Sequence, residues 1–151
     1  MAGGAAVSTL SYVVTAAAID PDCVAERLDT LCGMLSLERY PFASERTLQD
    51  AIETTFTRFG LVFSRERRLS PEDIVDFFVP VLLPTDAAPP HGIAVEVKVS
   101  GSRRDVYRQC ERYCLHPDVC GLVLATVRPG ALPPMIAGKP TRIVDLGRAW
   151  L

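Results

Sequence analysis

The stretch Val119-Cys120-Gly121-Leu122-Val123-Leu124-Ala125-Thr126-Val127 carries no charge, and so short and apolar a run reads as a strand covered on both faces. A strand of that kind needs helices on two sides of a sheet, and the rest of the chain supplies them. Asp20-Pro21-Asp22 starts a helix over Cys23 to Leu37, with Val24, Leu28, Leu31 and Leu35 at helical spacing. Tyr40-Pro41 ends it, and Ser44 caps a second helix whose stripe is Leu48, Ile52, Phe56 and Phe59, closed by Gly60. Three strand-like runs follow: Leu61 to Arg65, Asp73 to Val79 and Ile93 to Val99, with a proline-rich loop from Pro80 to Pro90 between the last two. Gly101-Ser102 leads into a third helix, Arg103 to Leu115, stopped by His116-Pro117. After the apolar strand, a Pro/Gly loop precedes a short last strand near Arg142 to Leu146. The sequence thus predicts an α/β fold, with a central mixed sheet flanked by helices in the order α-β-β-β-α-β plus the short final strand.

At 151 residues the chain fits one domain with one sizeable core, and 48% apolar with 23% charged residues is an ordinary globular balance. No stretch approaches the roughly 20 apolar residues of a membrane span. The small, apolar segment Ala5 to Ile19 lacks a positive leader and reads as mature structure, so a cytoplasmic protein is expected. Five cysteines, an odd number, favour reduced thiols over a disulfide framework. A formal charge of −2 argues only weakly against a nucleic-acid partner, because the distribution of charge decides binding. Arginines gather in two runs: Arg65, Arg67 and Arg68, then Arg103, Arg104, Arg108 and Arg112.

The chemistry concentrates in Ile93-Ala94-Val95-Glu96-Val97-Lys98-Val99. Alternation along a strand puts Glu96 and Lys98 on one face and the valines on the other. A carboxylate and an ammonium amid apolar residues cost desolvation unless paired or metal-bound. Alone, they read as an exposed edge strand with an ion pair. Asp76 adds to this, because it interrupts Val75, Phe77 and Phe78 with no packing reason. Two adjacent strands presenting carboxylates on one face make a hard oxygen site suited to Mg²⁺ or Mn²⁺. Asp73 is a rival ligand but lies at the mouth of its run.

Asp76 together with Glu96-Val97-Lys98 resembles the PD-(D/E)XK nuclease superfamily, and the element order from about Ser44 to Thr126 is similar to that superfamily's core. The resemblance implies a restriction-endonuclease-like nuclease domain over 44–151, with 1–43 as an N-terminal strand and helix extension available for a dimer or partner surface. It implies a metal-dependent deoxyribonuclease: Asp76 and Glu96 as ligands, Lys98 serving the attacking water, and Glu45 as a third acid and metal ligand from the helix, with Glu53 as second choice. Gln109 and Tyr113 match the Q-x-x-x-Y pattern of RecB-like nucleases, and small phage-borne members look especially similar to Gly92–Thr126. Both residues, with Arg103, Arg104 and Arg108, would position the DNA backbone. A homodimer is implied because two strands need two active sites. One departure stands out: Val75, not proline, precedes Asp76.

Some RecB-like nucleases hold an iron–sulfur cluster, but Cys110 and Cys114 lie at core spacing with Val106 on one helix, so no cluster is expected here. Two other readings remain: a nuclease-like fold that binds nucleic acid or protein without cutting, and an assembly protein in which Glu96 and Lys98 merely pair.

Overall fold

The computed structural model describes residues 19–82 and 90–147. The apolar segment before Ile19, most of the Pro80–Pro90 loop and the last four residues lie outside them. The chain is α/β, as its pattern of runs predicts. Helices α1 (Pro21–Ser36) and α2 (Glu45–Arg58) precede strands β1 (Ser64–Arg68), β2 (Ile74–Leu82) and β3 (His91–Lys98). Helix α3 (Arg103–Leu115) leads to β4 (Val119–Thr126), β5 (Met135–Ile136) and β6 (Lys139–Asp145). The six strands form one mixed sheet in the order β1-β2-β3-β4-β6-β5. β1, β2 and β3 pair antiparallel, whereas β3, β4 and β6 run parallel. The parallel step from β3 to β4 is made by α3, the crossover such a pair requires.

Each helix forms where its ends are satisfied. Asp20 accepts the amide of Asp22 at 3.0 Å, and Pro21 occupies the first turn, where its missing donor costs nothing. Ser44 Oγ accepts from Thr47 N at 3.1 Å, and Ser102 Oγ from Asp105 N at 3.1 Å. The buried residues of α1 (Val24, Leu28, Leu31, Leu35) and α2 (Leu48, Ile52, Phe56) meet Phe77, Val95, Val97 and Val123 on one sheet face. Cys110, Tyr113 and Cys114 of α3 cover Phe78, Ala94, Leu122 and Leu124 on the other. α1 therefore shares its core with the strands that follow. Gly121 gives it room: a Cβ there would stand 3.2 Å from Val24 and 3.3 Å from the Pro140 carbonyl.

Some boundaries differ from the sequence reading, each for a physical reason. Leu61 is spent closing α2, its amide on the Phe56 carbonyl at 3.0 Å, so β1 starts only at Ser64. Phe59, expected in the apolar stripe, is the exposed C-cap, and Thr55 is buried instead. β2 continues through Pro80, where the register shifts, a place at which a sheet tolerates proline. The expected last strand is the second arm of a hairpin turned at Ala137 and Gly138, both at positive φ.

Candidate functional site

The ladder between β2 and β3 ends at Phe77 and Val95, which leaves Asp76 and Glu96 as the next residues of the two strands, near enough for their charges to repel. Beyond that pair the carboxylate of Asp76 takes over from the ladder: Oδ2 accepts the Val97 amide at 2.7 Å. Oδ1 accepts from Gln49 Nε2 at 2.8 Å, which ties α2 to β2. Glu66, the β1 residue across from Asp76, takes φ 51, and the pairing of β1 with β2 skips it while keeping one register on both sides.

Glu96 is almost wholly enclosed, with 2% of its side chain exposed. Its Oε1 receives Lys98 Nζ at 2.7 Å, while Oε2 is buried and meets no donor among the described residues. Lys98 reaches the other way to Glu45 Oε1 at 3.5 Å, so Glu45 joins the site through the ammonium rather than beside the two inner acids. Among the described residues no three His, Cys, Asp or Glu side chains gather into a ready-made metal cage.

The electrostatics follow from burial and count. Burial, then the charge of Asp76, pushes the Glu96 carboxyl up to about 8 in spite of Lys98. Burial likewise raises Asp76, against the pull of the Val97 amide and Lys98. A proton held on Glu96 relieves the repulsion between the two acids. Burial draws the Lys98 ammonium down, but Glu96, Glu45 and Asp76 outweigh it and hold it above its ordinary value. Glu45, Asp76 and Glu96 set three negative charges against one positive, leaving two uncompensated when all are ionised.

The other expected site residues divide. Gln109 Nε2 donates to the Tyr113 hydroxyl at 2.7 Å, and that hydroxyl donates to the Ile74 carbonyl at 2.8 Å. Tyr113 is thus a buried strut between α3 and β2, two residues from Asp76, rather than a group free to touch DNA. Arg103, Arg104 and Arg108 are exposed along α3, and no carboxylate pairs with them among the described residues. The earlier arginine run is occupied: Arg65 bridges Asp50 at 2.7 Å and Glu53 at 2.5 Å, and Arg67 lies over the Phe78 ring. Glu53 is accordingly consumed by Arg65, and Asp73 by Arg112 at 2.9 Å.

Gln49 was not foreseen as a site residue. The signal that could have found it is the four-residue spacing Glu45–Gln49–Glu53, which puts the amide on the same helix line as the two acids. Arg65 Nη2 donates to Gln49 Oε1 at 3.4 Å and so turns the amide's NH₂ toward Asp76.

Cys110, Cys114 and Cys120 are buried, and burial raises each thiol, Cys110 to about 12. They pack as small apolar groups. Among the described residues no helix is long and apolar enough to cross a membrane. No family profile, curated protein or solved structure matches this chain.

Proposed function

We propose that the protein is a divalent-metal-dependent nuclease of the PD-(D/E)XK type that hydrolyses DNA phosphodiester bonds in the cytoplasm. The observation that carries the reading is the charge imbalance at Asp76, Glu96, Lys98 and Glu45. Two acids are withdrawn from water on adjacent strands, with one ammonium among three carboxylates. Burying like charges together is costly, and a site that does so is a functional candidate.

The residues fit a hard cation. Carboxylate oxygens are the donors Mg²⁺ and Mn²⁺ prefer, and Glu96 Oε2 is an enclosed acceptor without a partner among the described residues. Asp76 and Glu96 would hold the ion, with Glu45 free to join once Lys98 turns to substrate. A bound ion would supply charge for the scissile phosphate and acidify a water. Lys98 then holds the attacking water and offsets the charge that builds on the phosphate oxygens. Gln49 and the Val97 amide fix the orientation of Asp76, and Tyr113 holds α3 at its distance from β2. Arg103, Arg104 and Arg108 line the approach for the backbone. Cutting both strands of a duplex would take a homodimer.

The test is incubation of the purified protein with Mn²⁺ or Mg²⁺ and labelled linear, circular, single-stranded and branched DNAs, beside Glu96→Ala and Lys98→Ala. Metal-dependent cleavage lost in both variants is the expected result. Equal cleavage by parent and variants refutes the assigned roles. A second reading, a nuclease-like fold that binds without cutting, draws on the closed Lys98–Glu96 ion pair; it expects no Mn²⁺ binding that depends on Glu96.

A further inference from the structure

A shallow cleft opens beside Lys98, over the C-terminal ends of the parallel strands β3 and β4, with a volume of about 60 Å³. That is well below the roughly 300–1,000 Å³ of a pocket that encloses a small ligand, so the cleft offers a shelf on which one flat ring can lie. Its floor is apolar (Val106, Leu124 and Leu132), and its cations are Lys98, Arg103 and Arg128. Among the described residues no acidic side chain lines it. Arg103 and Arg128 make no ion pair among the described residues, although Arg58, Arg65, Arg67, Arg112 and Arg142 each hold a carboxylate. The Arg128 backbone is fixed from both sides by Thr126 Oγ1, at 3.1 and 3.2 Å, so its side chain starts from a set position at the rim.

An apolar floor ringed by unspent guanidinium groups suits a flat, uncharged ring joined to an anion. Lys98 belongs both to this cleft and to the acid site, so a chain crossing the acids lays its next unit here. A paired base inside a duplex cannot reach such a floor, whereas an unstacked one can. We infer that the cleft is a nucleotide subsite that takes one unstacked base and its phosphate, and that the substrate is therefore single-stranded DNA or a frayed end. This inference rests on the nuclease reading for the substrate, and the experiment separates the two.

Binding is measured in EDTA with a fluorescent 12-nucleotide single strand and the matching blunt duplex, for the parent, Arg128→Ala and Ala131→Glu. Both substituted side chains are exposed, so the fold is not at stake. The expected result is tighter binding of the single strand than of the duplex, weakened about tenfold by each substitution, Arg128→Ala by losing a charge-assisted phosphate contact and Ala131→Glu by setting a carboxylate against the phosphate. Equal affinity of the variants for the single strand, or a parent that holds the duplex as tightly, overturns the inference. Cleavage with Mn²⁺ is scored separately. Glu96-dependent cutting with unaffected variants sinks the cleft alone. Arg128-dependent binding of single strands without cutting sinks the nuclease reading and leaves the cleft standing.

Discussion

Replacing Glu96 with glutamine tests the charge argument without touching DNA. The amide can keep the contact of the acid form, with its oxygen accepting from Lys98. What disappears is the work of keeping a proton on a buried carboxyl. Folding raises this group from an ordinary value of 4.5 to about 8. An acid raised on folding favours the native state below its unfolded pKa. The stability it contributes is intact near pH 4.5 and is lost as pH climbs toward 8, at up to ~1.4 kcal/mol per pH unit. The ceiling at pH 8 is about 4 kcal/mol. Sharing of the proton with Asp76 and the loss of the charged partner for Lys98 reduce the expected gain to roughly 1–3 kcal/mol. Urea denaturation of parent and Glu96→Gln in EDTA at pH 5 and pH 8 gives the answer. Near-equal stability at pH 5 and a more stable variant at pH 8 are expected. Adding Mn²⁺ should then stabilise the parent, by about 2.7 kcal/mol at a hundredfold excess over Kd, and leave the variant unmoved. A variant no more stable than the parent at pH 8, or a difference independent of pH, refutes the reasoning.

Gln49→Ala removes the donor to Asp76 and should cost about 1–2 kcal/mol in urea unfolding, with a lower kcat and little change in KM; an unaltered kcat rules out its positioning role. Tyr113→Phe deletes the hydroxyl that bridges Gln109 to the Ile74 carbonyl and should cost about 1 kcal/mol, again by urea titration. In Gly92→Ala the new Cβ would stand 2.4 Å from the Val79 carbonyl oxygen, too close for either backbone to yield cheaply. Loss of roughly 2 kcal/mol or more is expected there, and a neutral result would mean that β2 and β3 lie further apart.

The fold was legible where residues repeat with a clear period. The α1 stripe from Val24 to Leu35, the α3 limits at Ser102 and His116, and the uncharged β4 run all stand where spacing and capping put them. The hairpin at Ala137-Gly138 was hidden because alanine seldom takes a positive φ and gives no turn signal. In the candidate site, strand alternation sufficed to place Glu96 and Lys98 on one face, and Asp76 betrayed itself by interrupting an apolar run. Partner choice was not legible. Nothing local distinguishes Arg65, held by Asp50 and Glu53, from Arg103, which no acid holds among the described residues, because ion pairs form across distances in sequence that no window spans. The same holds for Gln49, whose importance depends on an acid 27 residues away.

The bond from the Val97 amide to Asp76 makes one side chain serve two masters. Truncating it would unstitch the seam between two central strands while also emptying the acid site, so a silent Asp76→Ala protein would say nothing about chemistry. Glu96 carries no such backbone duty. An inert control belongs at position 96, where silence can be read as lost reactivity in a protein that still stands.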